Sequence, residues 1–264
     1  MFIDTHTHLD AGQFSGDIDN VIQEALDAKV RIMMMPNVDE TTVEGMMAIH
    51  ETWPDHCLPM IGIHPTSVKK NYQAQLDFVR DEAATGKYYA IGEIGIDLYW
   101  DTSLRKEQEH CFREQIALAG ALGLPINIHS RESIDLCIGH VEEMKSIFPN
   151  LTGIFHCFTG SLEQARRIRR IDGFLMGIGG VITFKNSNLR EVIRQVPIEA
   201  LVLETDAPYL TPHPYRGKRN APGYIPLIAA EIAKSHNVSI EKVEEITTYN
   251  AINLYQIPKE LLPE

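Results

Sequence analysis

The sequence has no CxxC pair among its four cysteines, Cys57, Cys111, Cys137 and Cys157, so neither a zinc ribbon nor a thioredoxin-like redox motif is available. At 264 residues the chain is too long to need disulfide staples, and the thiols are read as reduced, with the cytosol as the expected compartment. Met1-Phe2-Ile3-Asp4-Thr5-His6 lacks a basic region followed by an apolar one, and no apolar run approaches the ~20 residues of a membrane span. Neither export nor membrane insertion is expected. Positive charge is scarce: 24 Lys plus Arg against 36 Asp plus Glu leave a formal net charge of −12. That balance excludes broad electrostatic capture of nucleic acid or of an anionic membrane, so an anionic substrate must be held locally. No linker, charge block or low-complexity stretch divides the chain, and one domain over 1–264 is expected.

What the sequence does contain is an alternation. A short, β-branched-rich apolar run ends in a polar residue and an amphipathic stretch follows. The runs are Phe2 to His6, Val30 to Met35, Leu58 to His64, Tyr88 to Glu93, Pro125 to His129, Leu151 to His156, Gly173 to Gly177 and Ala200 to Asp206. Their spacing is roughly 30 residues, one βα unit. Helices are expected over 17–28, 41–52, 72–85, 104–122, 132–147, 161–171, 188–195, 223–236 and 240–254. Asp39 and Ser161 read as N-terminal caps, Gly86 and Gly123 as C-terminal stops. Eight such units in this length match a (β/α)8 TIM barrel, with a doubly wound open sheet as the alternative. Met33, Met34, Met35 and Met60 read as core filler.

In a barrel the chemistry gathers at the C-terminal strand ends. Run one delivers His6 and His8, whose i, i+2 spacing on an extended chain puts both imidazoles on one face, suited to chelating one ion. The other ends carry His64, Glu93, His129, His156, and Glu204 with Asp206. A lone strand-end histidine is usually a hydrogen-bonded one, and His64, within Gly62-Ile63-His64-Pro65, is the weakest candidate. Convergence of the rest on one mouth without a cation would bury several titratable groups together, which points to metal. His6, His8, Glu93, His129, His156 and Asp206 exceed the three or four protein ligands that one ion in an open catalytic site takes. A pair of divalent ions is therefore expected, with His6, His8, Glu93 and Asp206 around one, Glu93, His129 and His156 around the other, and Glu93 bridging. Mixed nitrogen and oxygen donors admit zinc, manganese or magnesium. Metal lowers the pKa of water from 15.7 towards ~7, and Asp206 is placed to take the proton of such a water, so Asp206 and Glu93 are the catalytic candidates.

For a phosphoryl substrate the chain must concentrate charge near that mouth. The segment after run eight, Pro212-His213-Pro214-Tyr215-Arg216-Gly217-Lys218-Arg219, does so, and lies where barrel phosphate sites are often built. Arg216, Lys218 and Arg219 are thus the expected phosphate contacts. Gly177-Ile178-Gly179-Gly180 can add backbone amides. The Arg166-Arg167-Ile168-Arg169-Arg170 stretch reads as a solvated helical face.

Seven motifs, Asp4-Thr5-His6-Thr7-His8-Leu9, Gly62-Ile63-His64-Pro65, Gly92-Glu93-Ile94-Gly95-Ile96-Asp97, Ile128-His129-Ser130-Arg131, His156-Cys157-Phe158-Thr159-Gly160, Glu204-Thr205-Asp206-Ala207-Pro208-Tyr209-Leu210 and Arg216-Gly217-Lys218-Arg219-Asn220, occur in that order. Together they resemble the TatD-type metal-dependent deoxyribonucleases of the amidohydrolase-like superfamily. The resemblance runs from the first strand to Tyr249-Asn250-Ala251. It implies a (β/α)8 barrel, divalent metal held by His6, His8, Glu93, His129, His156 and Asp206, and hydrolysis of DNA phosphodiesters, as a 3′–5′ exonuclease on single strands or DNA ends. His64 and Glu204 join the three cations as substrate contacts. The alternative within the same superfamily is an ester or amide hydrolase such as a D-aminoacyl-tRNA deacylase. A metal-dependent binding module without turnover is a third class. No obligate protein partner is evident.

Overall fold

The computed structural model describes residues 1–262. Eight strands alternate with helices along the chain: β1 (Phe2–Asp4), β2 (Val30–Met35), β3 (Cys57–Pro59), β4 (Ile91–Gly95), β5 (Ile126–His129), β6 (Gly153–Phe155), β7 (Phe174–Ile178) and β8 (Leu201–Leu203). The helices are α1 (Ile18–Asp27), α2 (Val43–Thr52), α3 (Tyr72–Ala83), α4 (Arg105–Leu122), α5 (Ile134–Ile147), α6 (Leu162–Arg170), α7 (Leu189–Ile193), α8 (Ile225–His236) and α9 (Ile240–Tyr255). All strand pairs are parallel, in the orders β1-β2-β3 and β4-β5-β6-β7-β8. The two sheets meet at both seams. Between β3 and β4, Ile61 N–H donates to Ala90 O at 3.1 Å and Gly92 N–H to Ile61 O at 2.9 Å. Between β8 and β1, Thr5 N–H donates to Leu203 O at 2.9 Å, Asp206 N–H to His6 O at 2.9 Å and His8 N–H to Ala207 O at 2.8 Å. Hydrogen bonding thus runs round the full ring of a (β/α)8 barrel, and the open-sheet alternative falls.

Parallel strands covered on both faces are apolar on both. Met33, Met34 and Met35 of β2 are all fully buried. Met33 and Met35 pack outward among helix residues such as Ile22 and Met46, whereas Met34 joins Ile3, Ile32, Leu58, Ile154 and Val202 inside the ring. Ala251, Leu254 and Tyr255 of α9 belong to this inner cluster, so the last helix closes the barrel interior from beneath. The four cysteines are free thiols, and no described helix is long and apolar enough to cross a membrane.

The helices lie within a few residues of their expected spans. Ser161 caps α6 through a capping box with Gln164, and Gly123 ends α4 in the left-handed region at φ 70°. Asp39 does not cap α2. That helix starts at Val43 after Thr42, and the Asp39 carboxylate instead accepts from Thr41 N–H at 2.9 Å and Ser67 Oγ at 3.0 Å. Gly86 lies two residues past the α3 cap Ala84, at φ 73°. Regular pairing also stops earlier than the apolar runs at β1 and β8. There a side chain holds the backbone: Asp4 Oδ1 accepts from Thr205 N–H at 2.9 Å and His6 N–H at 3.2 Å, and Oδ2 from Thr205 Oγ1 at 2.5 Å.

This fully buried carboxyl ties the two strand ends that carry His6, His8 and Asp206. Removing it strands buried donors, each worth ~1–3 kcal/mol when unsatisfied. Asp4→Ala is expected to lower unfolding stability by about 3 kcal/mol in urea melts; a loss under ~1 kcal/mol would show that the seam does not depend on it.

Candidate metal centre

The strand ends and the turns after them bring the chemically capable side chains to one mouth. His6 and His8 follow β1, Glu93 lies in β4, His129 ends β5, His156 follows β6 and Asp206 follows β8. Asp206 and Cys157 both turn through positive φ, 55° and 47°, a costly conformation for a non-glycine residue that re-aims the chain as each strand ends.

Glu93 is the hub. Its Oε2 lies 3.2 Å from His6 Nε2 and 3.5 Å from His8 Nε2. Its Oε1 lies 2.8 Å from His129 Nδ1, 3.4 Å from His64 Nε2 and 3.6 Å from His156 Nε2. Asp206 Oδ1 completes the first set at 3.7 Å from His6 Nε2 and 3.6 Å from His8 Nε2. Four donors held tetrahedrally at ~2.1 Å from one ion are ~3.4 Å apart. His6, His8 and Glu93 lie 3.2–3.5 Å from one another, so these three fit one divalent ion, and Asp206 Oδ1 stands beside the two imidazoles. Around Oε1, His64 and His129 lie close enough to Glu93 to share an ion with it, whereas His156, 3.6 Å from Oε1, falls in one group with His6 and Asp206 instead.

Buried partners hold these rings. His6 Nδ1 lies 2.9 Å from Asn127 Oδ1, and the Asn127 amide in turn donates to Thr5 O and to Tyr255 Oη. His6 Nδ1 is therefore the protonated nitrogen and Nε2 faces Glu93 as a lone pair, the usual outer-shell control of a ligating imidazole. His129 Nε2 lies 2.8 Å from Asp97 Oδ2, leaving Nδ1 towards Glu93. His64 is oriented the opposite way. Its Nδ1 accepts from Thr66 N–H at 3.2 Å, so Nε2 carries the proton and faces the centre as a donor.

The electrostatics follow the packing. Burial pushes the Glu93 carboxyl up, but the charges of His64, His6 and His156 with the His129 hydrogen bond outweigh it, holding it well below the usual carboxylate range. Burial likewise opposes Asp97, yet hydrogen bonds from His129 and from the Trp100 and Tyr99 N–H groups bring it to about 2. Burial lowers His6, His64 and His156 against the pull of the Glu93 charge, whereas hydrogen bonds outweigh burial at His8, to Glu93, and at His129, to Asp97 and Glu93, and raise each to about 9.

A cavity of about 1130 Å³ opens over the cluster, with His8, His64, Glu93, His129, His156 and Asp206 in its wall. Four expected substrate contacts lie elsewhere. Glu204 is fully buried behind His156, accepting from Cys157 N–H at 2.6 Å, and burial pushes its carboxyl up to about 7. A side chain at Gly177 would strike that carboxyl, which explains the glycine. Arg219 pairs with Asp17 at 2.6 Å and donates to Gln13 O. Arg216 lies 3.9 Å over the Phe184 ring and donates to Thr211 O. Lys218 sits 5.6 Å from the Tyr215 ring. None of the four lines the cavity; its wall contains Arg131 instead. The basic segment folds back on the chain because an acid distant in sequence, Asp17, captures its last cation. Asn127, Asp97 and Tyr255 were not read as site residues. For Asn127 a signal existed, since it lies two residues before His129 and so shares its face of β5.

Fold and centre together define the class: a parallel α/β barrel with a histidine and carboxylate donor set at the C-terminal ends of its strands. The chain belongs to the TatD family, whose model, described as TatD related DNase, matches residues 3–256. It is 38% identical over 258 residues to the uncharacterized metal-dependent hydrolase YabD of Bacillus subtilis, covering 97% of this chain and 100% of that protein. It is 31% identical over 265 residues to a protein of Edwardsiella piscicida named 3′-5′ ssDNA/RNA exonuclease TatD, covering 97% and 99%. The crystal structure of the TatD homologue YjjV from Escherichia coli superposes with a TM-score of 0.90 at 31% identity, covering 97% and 98%.

If the donor sets bind metal, restoring manganese or zinc to chelated protein raises the Tm by mass action, and Glu93→Ala removes the rise. Asp97→Ala, which frees the His129 ring, is expected to weaken binding about 10- to 100-fold in a competitive chelator titration. Unchanged affinity in both variants would place the ion elsewhere.

Proposed function

We propose that this chain is a divalent-metal-dependent phosphodiesterase acting on single-stranded DNA or DNA ends, degrading from the 3′ end. The observation that carries the reading is the split of Glu93, one oxygen to His6 and His8, the other to His129 and His156. That arrangement suits two adjacent ions, as in sites that clamp both oxygens of an in-line displacement. The name of the Edwardsiella relative supports the substrate class. Residues 1–264 act as one barrel domain in this reading, and the metal is zinc, manganese or magnesium.

His6, His8, Glu93 and Asp206 hold one ion and Glu93, His129 and His156 the other. Bound there, divalent metal polarises the scissile phosphate and lowers the pKa of water. The chain's own groups do the rest. Asp206, partly exposed to the cavity, accepts the proton of the attacking water. His64 Nε2–H donates to a phosphoryl oxygen as negative charge develops there. Water adds to phosphorus, the P–O bond to the sugar breaks, and the released alkoxide takes up a proton. His64 is then a donor to the substrate and no ligand, in keeping with its tautomer.

The test uses single-stranded DNA labelled at either end, with metal restored after chelation. A ladder retaining the 5′ label is expected, and His129→Ala should reduce the rate at least a hundredfold. His64→Ala should lower kcat about 10²-fold, the cost of an oxyanion donor, with metal content unchanged. Loss of metal in that variant makes His64 a ligand. Absence of cleavage by folded, metal-loaded protein would move the reaction to ester or amide hydrolysis, such as aminoacyl-tRNA deacylation.

A further inference from the structure

Trp100 is 70% exposed on the turn after β4, yet it lines the cavity over the centre. An exposed indole on a cavity rim is a large apolar surface without a covering partner. Beside it is Arg131, whose guanidinium carbon lies 3.6 Å from the Tyr99 ring centroid and 5.3 Å from that of Trp100. Among the described residues Arg131 is the only lysine or arginine in the cavity wall, and no carboxylate reaches it, although Glu132 shares the wall. A guanidinium held by its flat face on aromatic rings keeps its in-plane N–H donors free. In a chain of net charge −12, a cation left unpaired over such a centre is poised for an anion.

The rim is also held in register with the centre. Asp97 Oδ2 meets His129, while Asp97 Oδ1 accepts from Tyr99 N–H at 2.9 Å and Trp100 N–H at 3.1 Å. Leu98 N–H donates to Arg131 O at 3.0 Å. One carboxylate thus fixes a histidine of the centre and the turn that carries the indole, and Arg131 follows His129 by two residues.

We propose that Trp100 and Arg131 form a nucleotide subsite: the indole stacks on an unpaired base and the guanidinium donates to a neighbouring phosphate. The proposal rests on the phosphodiesterase reading above. A base within a duplex is stacked on both sides and offers no free face, so this subsite selects single strands and frayed ends. Stacking is tolerant of base identity, and weak sequence preference follows.

Two measurements test it. The chain has 2 tryptophans, so Trp53→Phe leaves Trp100 as the sole indole. Stopped-flow mixing of that metal-loaded protein with hexathymidylate is expected to quench its fluorescence before turnover. In steady state, Trp100→Leu and Arg131→Ala are each expected to raise KM for single-stranded DNA about 5- to 100-fold, with kcat within about threefold. Trp100→Phe, which keeps an aromatic face, should stay within about threefold of the parent in KM. An oligonucleotide of abasic residues should be indifferent to Trp100→Leu and remain sensitive to Arg131→Ala. No quench, or unchanged KM in Trp100→Leu while cleavage proceeds, overturns the subsite and leaves the nuclease intact. Quench with no cleavage in any metal sinks the phosphodiesterase reading and keeps the subsite.

Discussion

A buried carboxylate surrounded by imidazoles is the constraint on which the rest of the site depends. Glu93 sits inside the ring of strands with almost no exposure, where an unpaired charge would be expensive. Its compensation comes from four directions, because neighbouring strand ends of a closed ring all point at the same axis. An open sheet would present His6 and His129 far apart, on strands β1 and β5. Closure at the β8–β1 seam brings Asp206 beside His8. The barrel is therefore the means by which residues more than a hundred positions apart in sequence reach a few ångströms of one another.

A cluster of this kind also needs each ring turned the right way. An imidazole has two nitrogens, and the one aimed at the centre is chosen by what the other meets. Asn127 makes this choice for His6, Asp97 for His129, and the Thr66 amide makes the opposite choice for His64. Three histidines that look alike in sequence thus present two orientations to the centre. Tyr255 extends the support downwards, since it reaches from α9 through the barrel interior to the amide of Asn127. Packing of the last helix is in this way coupled to the orientation of a residue near the first strand.

Much of this was legible in the sequence. Strand alternation and the polar residue ending each run follow from local chemistry, and they located the barrel and the residues His6, His8, Glu93, His129, His156 and Asp206 that the structure gathers. Other features depend on contacts that no local pattern encodes. Arg219 reads as a free cation until Asp17, about two hundred residues earlier, is seen to pair with it. Glu204 reads as a strand-end acid beside Asp206, but the chain leaves the extended conformation at Asp206, with φ 55°, and Glu204 lies under His156 instead. The tie between the ends of β1 and β8 rests on Asp4, whose partner Thr205 lies 201 residues later in the chain. Arg131 was visible within Ile128-His129-Ser130-Arg131, but its freedom from any acid is a property of three-dimensional neighbours alone.

Charge distribution joins these strands of evidence. The chain is acidic, and none of the cations of the basic segment after β8 lines the cavity, so attraction at the mouth has few sources. One would be a divalent cation, which the donor sets at the cavity floor are suited to hold. The other is Arg131, kept free because aromatic rings rather than carboxylates hold it. Asp97 links the two: by accepting from His129 on one oxygen and from the Tyr99 and Trp100 amides on the other, it sets the distance between rim and floor. Among the described residues, a polyanion entering the cavity of this acidic chain meets one lysine or arginine in its wall, Arg131. On the proposed nuclease reading, binding then depends on geometry at one mouth rather than on long-range attraction, which suits engagement of a strand end over the body of a duplex.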